Sequence, residues 1–108
     1  MPNARTLPVV SYQRGGRLTP RRSQGLRAGS VVLSPGDVMD WHSTRTRQEL
    51  LIALSGRVQV EWQFSPRQLK REPLKAGQCA LLSAQTIHRV VNRSSTKAHY
   101  LYVTAPAG

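Results

Sequence analysis

The sequence predicts an all-β domain, and three features of the chain lead to this fold class. Its apolar stretches are short, they are separated by turn residues such as Pro, Gly, Ser and Asp, and none shows a helical period of useful length. Many short strands at near-regular spacing are typical of an antiparallel β-sandwich or β-barrel. A chain of 108 residues has room for one domain with one core.

The predicted elements begin with an N-terminal arm, residues 1–25, which is rich in Arg, Gly and Pro. Within it, "LPVVSY" is a possible edge strand, since Pro8 and Pro20 cannot donate a backbone hydrogen bond to a ladder. The predicted barrel domain covers residues 26–105. Its first strands are "LRAGSVVL", which ends in a Pro-Gly turn, and "ELLIAL", which ends at Gly56.

The stretch "RVQVEWQF" is the clearest strand, because apolar and polar residues alternate along it. Val58, Val60, Trp62 and Phe64 share one face, and the first three are expected to face a core. The remaining predicted strands are "CALLS", "IHRVVN" and "AHYLYVT".

One predicted strand carries information about assembly. Residues 50–54, "LLIAL", are apolar on both faces of the strand. Such a strand is buried inside a double-layered structure or under a partner subunit. Because the N-terminal arm also needs cover, we expect a homodimer.

The net charge of +11 indicates attraction to anions. The arginines are scattered along the chain, and no basic helix, helix-turn-helix spacing or RNA-binding aromatic motif accompanies them. A solvated basic surface is therefore the favoured interpretation. Binding of nucleic acid is a minority hypothesis, and it predicts an affinity that falls steeply with salt.

No apolar stretch approaches the roughly 18 residues of a membrane helix, so no membrane partner is expected. The N-terminus lacks the apolar core of a secretory signal, which favours a cytoplasmic location. The single cysteine, Cys79, excludes an internal disulfide and a cysteine-rich zinc site. Its apolar neighbours predict a buried, unreactive thiol.

Three residues suggest a metal site. Successive strand residues alternate between faces, so His42 and Glu49 converge only if the chain reverses within the polar segment "STRTRQ" between them. Taken alone, Glu49 could equally be a capping residue or the partner of an arginine. His88, central in "IHRVV", adds a second imidazole. Two neutral imidazoles and one carboxylate suit a divalent metal and leave coordination positions open.

These residues resemble the two motifs of the cupin family over roughly residues 26–105. The first motif is G-x5-H-x-H-x(3 or 4)-E-x6-G and the second is G-x5-P-x-G-x2-H-x3-N. The matching residues are Gly36, His42, Glu49, Gly56, Gly77, His88 and Asn92. The resemblance implies a single-domain jelly-roll β-barrel with His42, Glu49 and His88 as metal ligands.

Three positions depart from the motifs. Thr44 replaces the second histidine of the first motif, while Ser83 and Gln85 replace the Pro and Gly of the second. A threonine is a poor metal ligand, but its hydroxyl could hydrogen-bond a metal-bound water. The turn before His88 then needs neither the usual rigidity nor a positive φ.

The resemblance implies binding of a divalent metal ion, with iron, manganese, zinc, nickel and copper all acceptable to three N/O ligands. Around it, Arg45 and Arg47 are expected to hold an anionic substrate and His99 to act as a nearby supporting residue. The expected function is oxidation, of the dioxygenase kind, or isomerisation of a small polar or anionic molecule. The alternative is a non-catalytic small-molecule binder or sensor. The third hypothesis is a basic accessory protein that binds nucleic acid.

Overall fold

The computed structural model of the chain describes residues 7–21 and 25–108, and its regular structure consists of nine β-strands. The strands are β1 Gly16–Arg17, β2 Arg27–Leu33, β3 Val38–Ser43, β4 Arg47–Ser55, β5 Arg57–Ser65, β6 Gln68–Lys75, β7 Cys79–Leu82, β8 Ile87–Val91 and β9 Ala98–Pro106. The predicted all-β fold is confirmed. The described part of the chain contains no helix long and apolar enough to cross a membrane.

The strands form two antiparallel sheets. Sheet A has the order β1-β2-β9-β4-β7 and sheet B the order β3-β8-β5-β6. In each sheet a strand from late in the chain lies between two earlier ones: β9 pairs with β2 and β4, and β8 pairs with β3 and β5. This interleaving is typical of a jelly roll, in which both sheets turn one face towards a common core.

The core lies between the inner faces of the two sheets. Its buried apolar side chains are Val31, Leu33, Leu51, Ala53, Val58, Val60, Leu74, Leu82, Val90, Ala98 and Tyr100. Trp62 packs against them half-buried, so the prediction for Val58, Val60 and Trp62 is confirmed. Phe64 is exposed, because β8 pairs with β5 only as far as Trp62, and the Lys70 ammonium lies 3.9 Å from the centre of its ring.

Two expectations about local structure are wrong. Cys79 is exposed, because it lies on the outer face of the edge strand β7. The edge strand of the N-terminal arm is Gly16–Arg17, and "LPVVSY" forms no strand in residues 7–12. Instead, the arm contacts the barrel at Tyr12, whose carbonyl accepts a hydrogen bond from the Ser30 hydroxyl at 2.6 Å. Residues 1–6 and 22–24 of the predicted arm lie outside the described residues.

A buried carboxylate lies on the polar face of β5. Glu61 is 2% exposed and accepts hydrogen bonds from Arg89 at 2.6 Å and Arg93 at 3.1 Å, with Arg71 at 3.5 Å. Burial by itself would raise the pKa of Glu61. The hydrogen bonds and positive charges of Arg89 and Arg93 outweigh that effect, so the pKa lies below its ordinary value.

We therefore expect Glu61→Gln to destabilise the fold by about 1–3 kcal/mol at neutral pH. Because the pKa is depressed in the folded state, this stabilisation is present above the unfolded pKa of about 4.3 and is lost as pH falls through the folded pKa. Urea unfolding at pH values from 7 to 3 should show the difference between wild type and variant shrinking at the acid end. Glu72→Gln, on an exposed residue of β6, is the control, and a constant difference across the range would contradict the assignment.

Candidate metal centre

The three predicted ligands converge between the two sheets. His42 on β3 and His88 on β8 are Cα partners in sheet B, with ring centroids 4.2 Å apart. Glu49 comes from β4 of sheet A, and its Oε1 lies 3.5 Å from His88 Nε2. One ligand atom from each residue lies within 4.8 Å of the other two. The chain reverses between the end of β3 at Ser43 and the start of β4 at Arg47, as the alternation argument required.

Glu49 points inwards rather than to an arginine. The residue is 8% exposed, and among the described residues no ion pair joins it to an arginine. The geometry therefore does not support the alternative in which Glu49 is a capping residue or the partner of an arginine.

Backbone carbonyls set the tautomer of both neutral imidazoles. His42 Nδ1 lies 2.7 Å from the Asp40 carbonyl oxygen, and His88 Nδ1 lies 3.1 Å from the Thr86 carbonyl oxygen. A carbonyl only accepts, so Nδ1 carries the proton in each ring and Nε2 of the neutral ring keeps its lone pair. This is the usual arrangement of a metal-binding histidine, whose second nitrogen donates to a carbonyl or carboxylate.

His88 Nε2 is buried and has no hydrogen-bond partner among the residues that the structure describes. Leaving a buried polar atom unsatisfied costs about 1–3 kcal/mol, and such atoms in native folds call for an explanation. A divalent cation between the three side chains would provide the missing partner. The donor set of two nitrogens and one carboxylate therefore fits a divalent metal.

The three residues lie in a cavity of about 510 Å³ that opens to solvent. His88 is fully buried, Glu49 nearly so, and His42 is exposed, so the group extends from the core towards the opening. Tyr100 and Tyr102 of β9 also line the cavity. Burial, and then the negative charge of Glu49, raise the pKa of Tyr100 well above its usual range, which keeps its hydroxyl protonated as a hydrogen-bond donor.

Four arginines contribute to the cavity lining. Arg45 and Arg47 were predicted from the sequence, whereas Arg17 and Arg27 were not. The guanidinium of Arg47 donates to the hydroxyl and carbonyl of Thr104 at 2.9 and 3.0 Å, so much of its hydrogen-bonding capacity is used inside the protein.

Arg27 has the same parity as Gly29 and Val31, whose face of β2 is buried in the structure. The sequence did not reveal this, because "VVL" is apolar on both faces of the strand. Arg17 lies beside the cavity only through its pairing with Gly29.

Thr44 has a different role from the predicted one. Its hydroxyl donates to the Ser83 carbonyl at 2.8 Å and accepts the Thr86 N–H at 3.0 Å. The single hydroxyl proton is therefore not available to a metal-bound water. Thr44 instead ties the β3–β4 turn to the β7–β8 turn, which leads into His88.

The turn before His88 keeps a positive φ without glycine. Gln85 has φ of 60°, and its N–H donates to the carbonyl of Arg45 at 2.7 Å. Arg45 itself has φ of 55°. The turn therefore contains a positive-φ position although the sequence did not require one, and both facing turns at the cavity contain a non-glycine residue in the left-handed region.

His99 lies away from the metal centre. Tyr100 and Tyr102 point into the cavity, so alternation along β9 places His99 on the opposite face. There its ring stacks on Tyr12 at 6.2 Å, and its Nε2 lies 2.5 Å from the Ser30 hydroxyl. These contacts do not support the predicted role of His99 beside the candidate metal ligands.

Comparison with solved structures gives relatives of the same fold. A Cupin 2 conserved barrel domain protein from Salinispora arenicola is 22% identical, with 97% of this chain and 92% of that chain covered and a TM-score of 0.73. The cupin domain of Schizosaccharomyces pombe Cnp3 is 15% identical, with 94% and 68% covered and a TM-score of 0.74. These identities show the fold alone.

Longer proteins also match. Oxalate oxidase in complex with the substrate analogue glycolate is 19% identical, with 76% of this chain covered and a TM-score of 0.70. The chain spans 42% of that oxalate oxidase and 51% of peruvianin-I, a cysteine peptidase from Thevetia peruviana latex. A search of curated proteins found no match. The family model described as "Cupin domain" matches residues 29–104, and the chain therefore belongs to the cupin domain family.

Proposed function

We propose that the protein is a metal-dependent enzyme that oxidises or isomerises a small anionic molecule. The observation that carries this proposal is the unpartnered Nε2 of buried His88, which faces Glu49 in an open cavity lined by arginines. A buried, unsatisfied imidazole nitrogen beside a substrate-sized cavity is typical of a functional site rather than of core packing.

His42 Nε2, His88 Nε2 and the Glu49 carboxylate would hold iron, manganese, zinc, nickel or copper. When bound, such a cation supplies a Lewis acid with open coordination positions. The arginines of the cavity would attract and orient an anion, since guanidinium groups match carboxylates in a bidentate geometry. Tyr100, whose hydroxyl stays protonated, would donate a hydrogen bond to the bound molecule.

Small carboxylic acids are the first substrates to test, because the similar fold of oxalate oxidase binds glycolate. Tag-free protein loaded with manganese or iron would be incubated with oxalate, glycolate and related acids, with and without oxygen. Oxygen consumption and mass spectrometry of the products would detect oxidation, and NMR of the products would detect isomerisation, which leaves the mass unchanged. We expect Arg45→Ala to raise KM more than it lowers kcat, since the residue would position substrate rather than react.

A non-catalytic binder or sensor is the second candidate, and Thr44 favours it. The residue that replaces the usual histidine has its hydroxyl engaged by Ser83 and Thr86, so the ligand set is one short. This candidate predicts metal-dependent binding of an acid, measured by calorimetry, without turnover. Turnover would exclude a non-catalytic binder. Failure of the protein to bind any metal at saturating metal concentration would overturn both candidates.

We also propose that the protein forms a homodimer through the outer face of sheet A. By alternation, the large apolar side chains on this face are Val32, Leu50, Ile52, Cys79, Leu81, Leu101 and Val103, and they lie beside His99 and the Tyr12 ring of the arm. In the described parts of these strands, no Lys, Arg, Asp or Glu points to this face. Two chains of charge +11 repel each other, so a face without charged side chains is the favourable place for them to meet.

Leu81→Glu is expected to separate the dimer. Leu81 is 66% exposed, so the change leaves the monomer intact but places an unpaired charge in the proposed interface. We expect the dissociation constant to rise about 100-fold or more, as measured by sedimentation equilibrium. Leu69→Glu, at an equally apolar residue 56% exposed on sheet B, should leave the dimer unchanged. A monomeric wild type at high micromolar concentration would contradict the proposal.

A further inference from the structure

The outer face of sheet B gathers cations that are far apart in the sequence. Arg89 of β8 and Arg71 of β6 are the Cα partners of Glu61 on β5, one on each side, and Arg93 reaches the same carboxylate. Arg57 and Lys75 are Cα partners farther along β5 and β6, on the same face as Glu61. The basic face is defined here by Arg57, Arg71, Lys75, Arg89 and Arg93.

The basic face carries more positive charge than the protein neutralises. Glu61 is the carboxylate that pairs with these cations in the described part of the chain, so five positive charges and one negative charge leave +4. Glu72 on β6 is the Cα partner of Val60 and therefore belongs to the opposite face of the sheet. The excess charge faces solvent, since the side chains of Arg71 and Arg93 are 64% and 54% exposed.

Glu61 orders the guanidinium groups without using up their donors. Each guanidinium has five N–H donors, and the carboxylate contacts only part of each group. A second, smaller cavity of about 240 Å³ lies between Arg57 and Arg93. Side chains that are already held in place lose less conformational entropy when they bind a further anion.

We propose that the basic face binds nucleic acid through the phosphate backbone, without preference for base sequence. The cations extend over three adjacent strands, which lie about 4.8 Å apart, so they can contact several phosphates of one polymer at once. A small dianion would engage only one or two of them. Trp41 lies beside this face, with its ring under the Arg89 guanidinium at 4.8 Å.

The proposal is independent of the metal centre, because the basic face lies on the other side of sheet B from His42 and His88. In the sequence the arginines appear scattered along the chain, which does not by itself favour binding of nucleic acid. Strand register brings them together, which composition alone does not reveal.

Fluorescence anisotropy with a labelled DNA duplex of about 20 base pairs, titrated with the full chain, tests the proposal. We expect the binding constant to fall with salt, with a slope of about −0.9 for each phosphate contact. Arg71→Ala combined with Arg93→Ala should weaken binding roughly tenfold or more near 0.1 M salt and reduce the slope by about two. Arg14→Ala, which removes a charge from the exposed arm, should change the affinity less than twofold, and His88→Ala should leave it unchanged.

A second duplex of unrelated sequence should bind within about threefold, since backbone contacts carry no sequence information. Equal affinity of wild type and the double variant would overturn the proposal. So would tighter binding of polyglutamate than of the duplex, which would indicate an acidic protein segment as the partner. If the duplex does not bind but metal binding is intact, the proposed function is unaffected. If metal binding fails but the duplex binds, the proposal for the basic face is unaffected.

Discussion

Replacing His88 by Ala is expected to lower the affinity for divalent metal about 100-fold or more. The variant leaves two protein ligands, His42 and Glu49, where the wild type offers three. The lost ligand is also the one held most firmly, since its ring is fully buried and its Nδ1 donates to the Thr86 carbonyl. Mutations of residues that only orient a ligand already cost 10–100-fold, so removal of the ligand itself should cost more.

Metal analysis of tag-free protein after dialysis against manganese or zinc would measure this loss. We expect about one metal ion per wild-type chain and almost none in His88→Ala. His99→Ala is the matched control, because His99 is also a histidine of a barrel strand but lies on the outer face against Tyr12. Equal metal content in wild type and His88→Ala would show that the cluster is not a metal centre. Loss in both variants would indicate a change in the fold rather than in the site.

The convergence of His42, Glu49 and His88 could be predicted because it depends on chain direction and spacing. The reversal between β3 and β4 follows from alternation, and the spacing of His42, Glu49 and His88 follows the family motifs. Chain reversal and residue spacing can both be read along one chain, without knowing which strands pair. The core positions Val58 and Val60 were predictable for the same reason.

The features that could not be predicted depend on which strands become neighbours in the fold. Cys79 looked buried from its apolar flanks, but alternation does not say which face of an apolar strand is the inner one. Thr44 was expected to hydrogen-bond a metal-bound water. Its actual hydrogen bonds to the β7–β8 turn join segments about forty residues apart in the chain, which the sequence does not reveal. The contact of Arg89 and Arg71 with one buried carboxylate likewise requires the pairing of three strands.

Gly56→Ala is expected to destabilise the fold by about 2–4 kcal/mol, a large share of the stability of a small domain. Gly56 connects β4 to β5 with φ of 70°, a left-handed conformation that costs an alanine about 1–2 kcal/mol. A Cβ at this position would also lie 2.5 Å from the carbonyl oxygen of Lys97 and 2.8 Å from the Cα of buried Ala98. Both atoms are backbone, so they cannot rotate away as a flexible side chain would.

Gly36→Ala separates the two causes. Gly36 has a similar φ of 88°, but an added Cβ there meets no atom of the described residues within 4 Å. We therefore expect Gly36→Ala to cost only the conformational part, about 1–2 kcal/mol, in urea unfolding at neutral pH. Equal losses in the two variants would refute the contact with Lys97 and Ala98. Because Gly56 joins β4, which carries Glu49, to β5, which pairs with the strand of His88, Gly56→Ala should also weaken metal binding more than Gly36→Ala does.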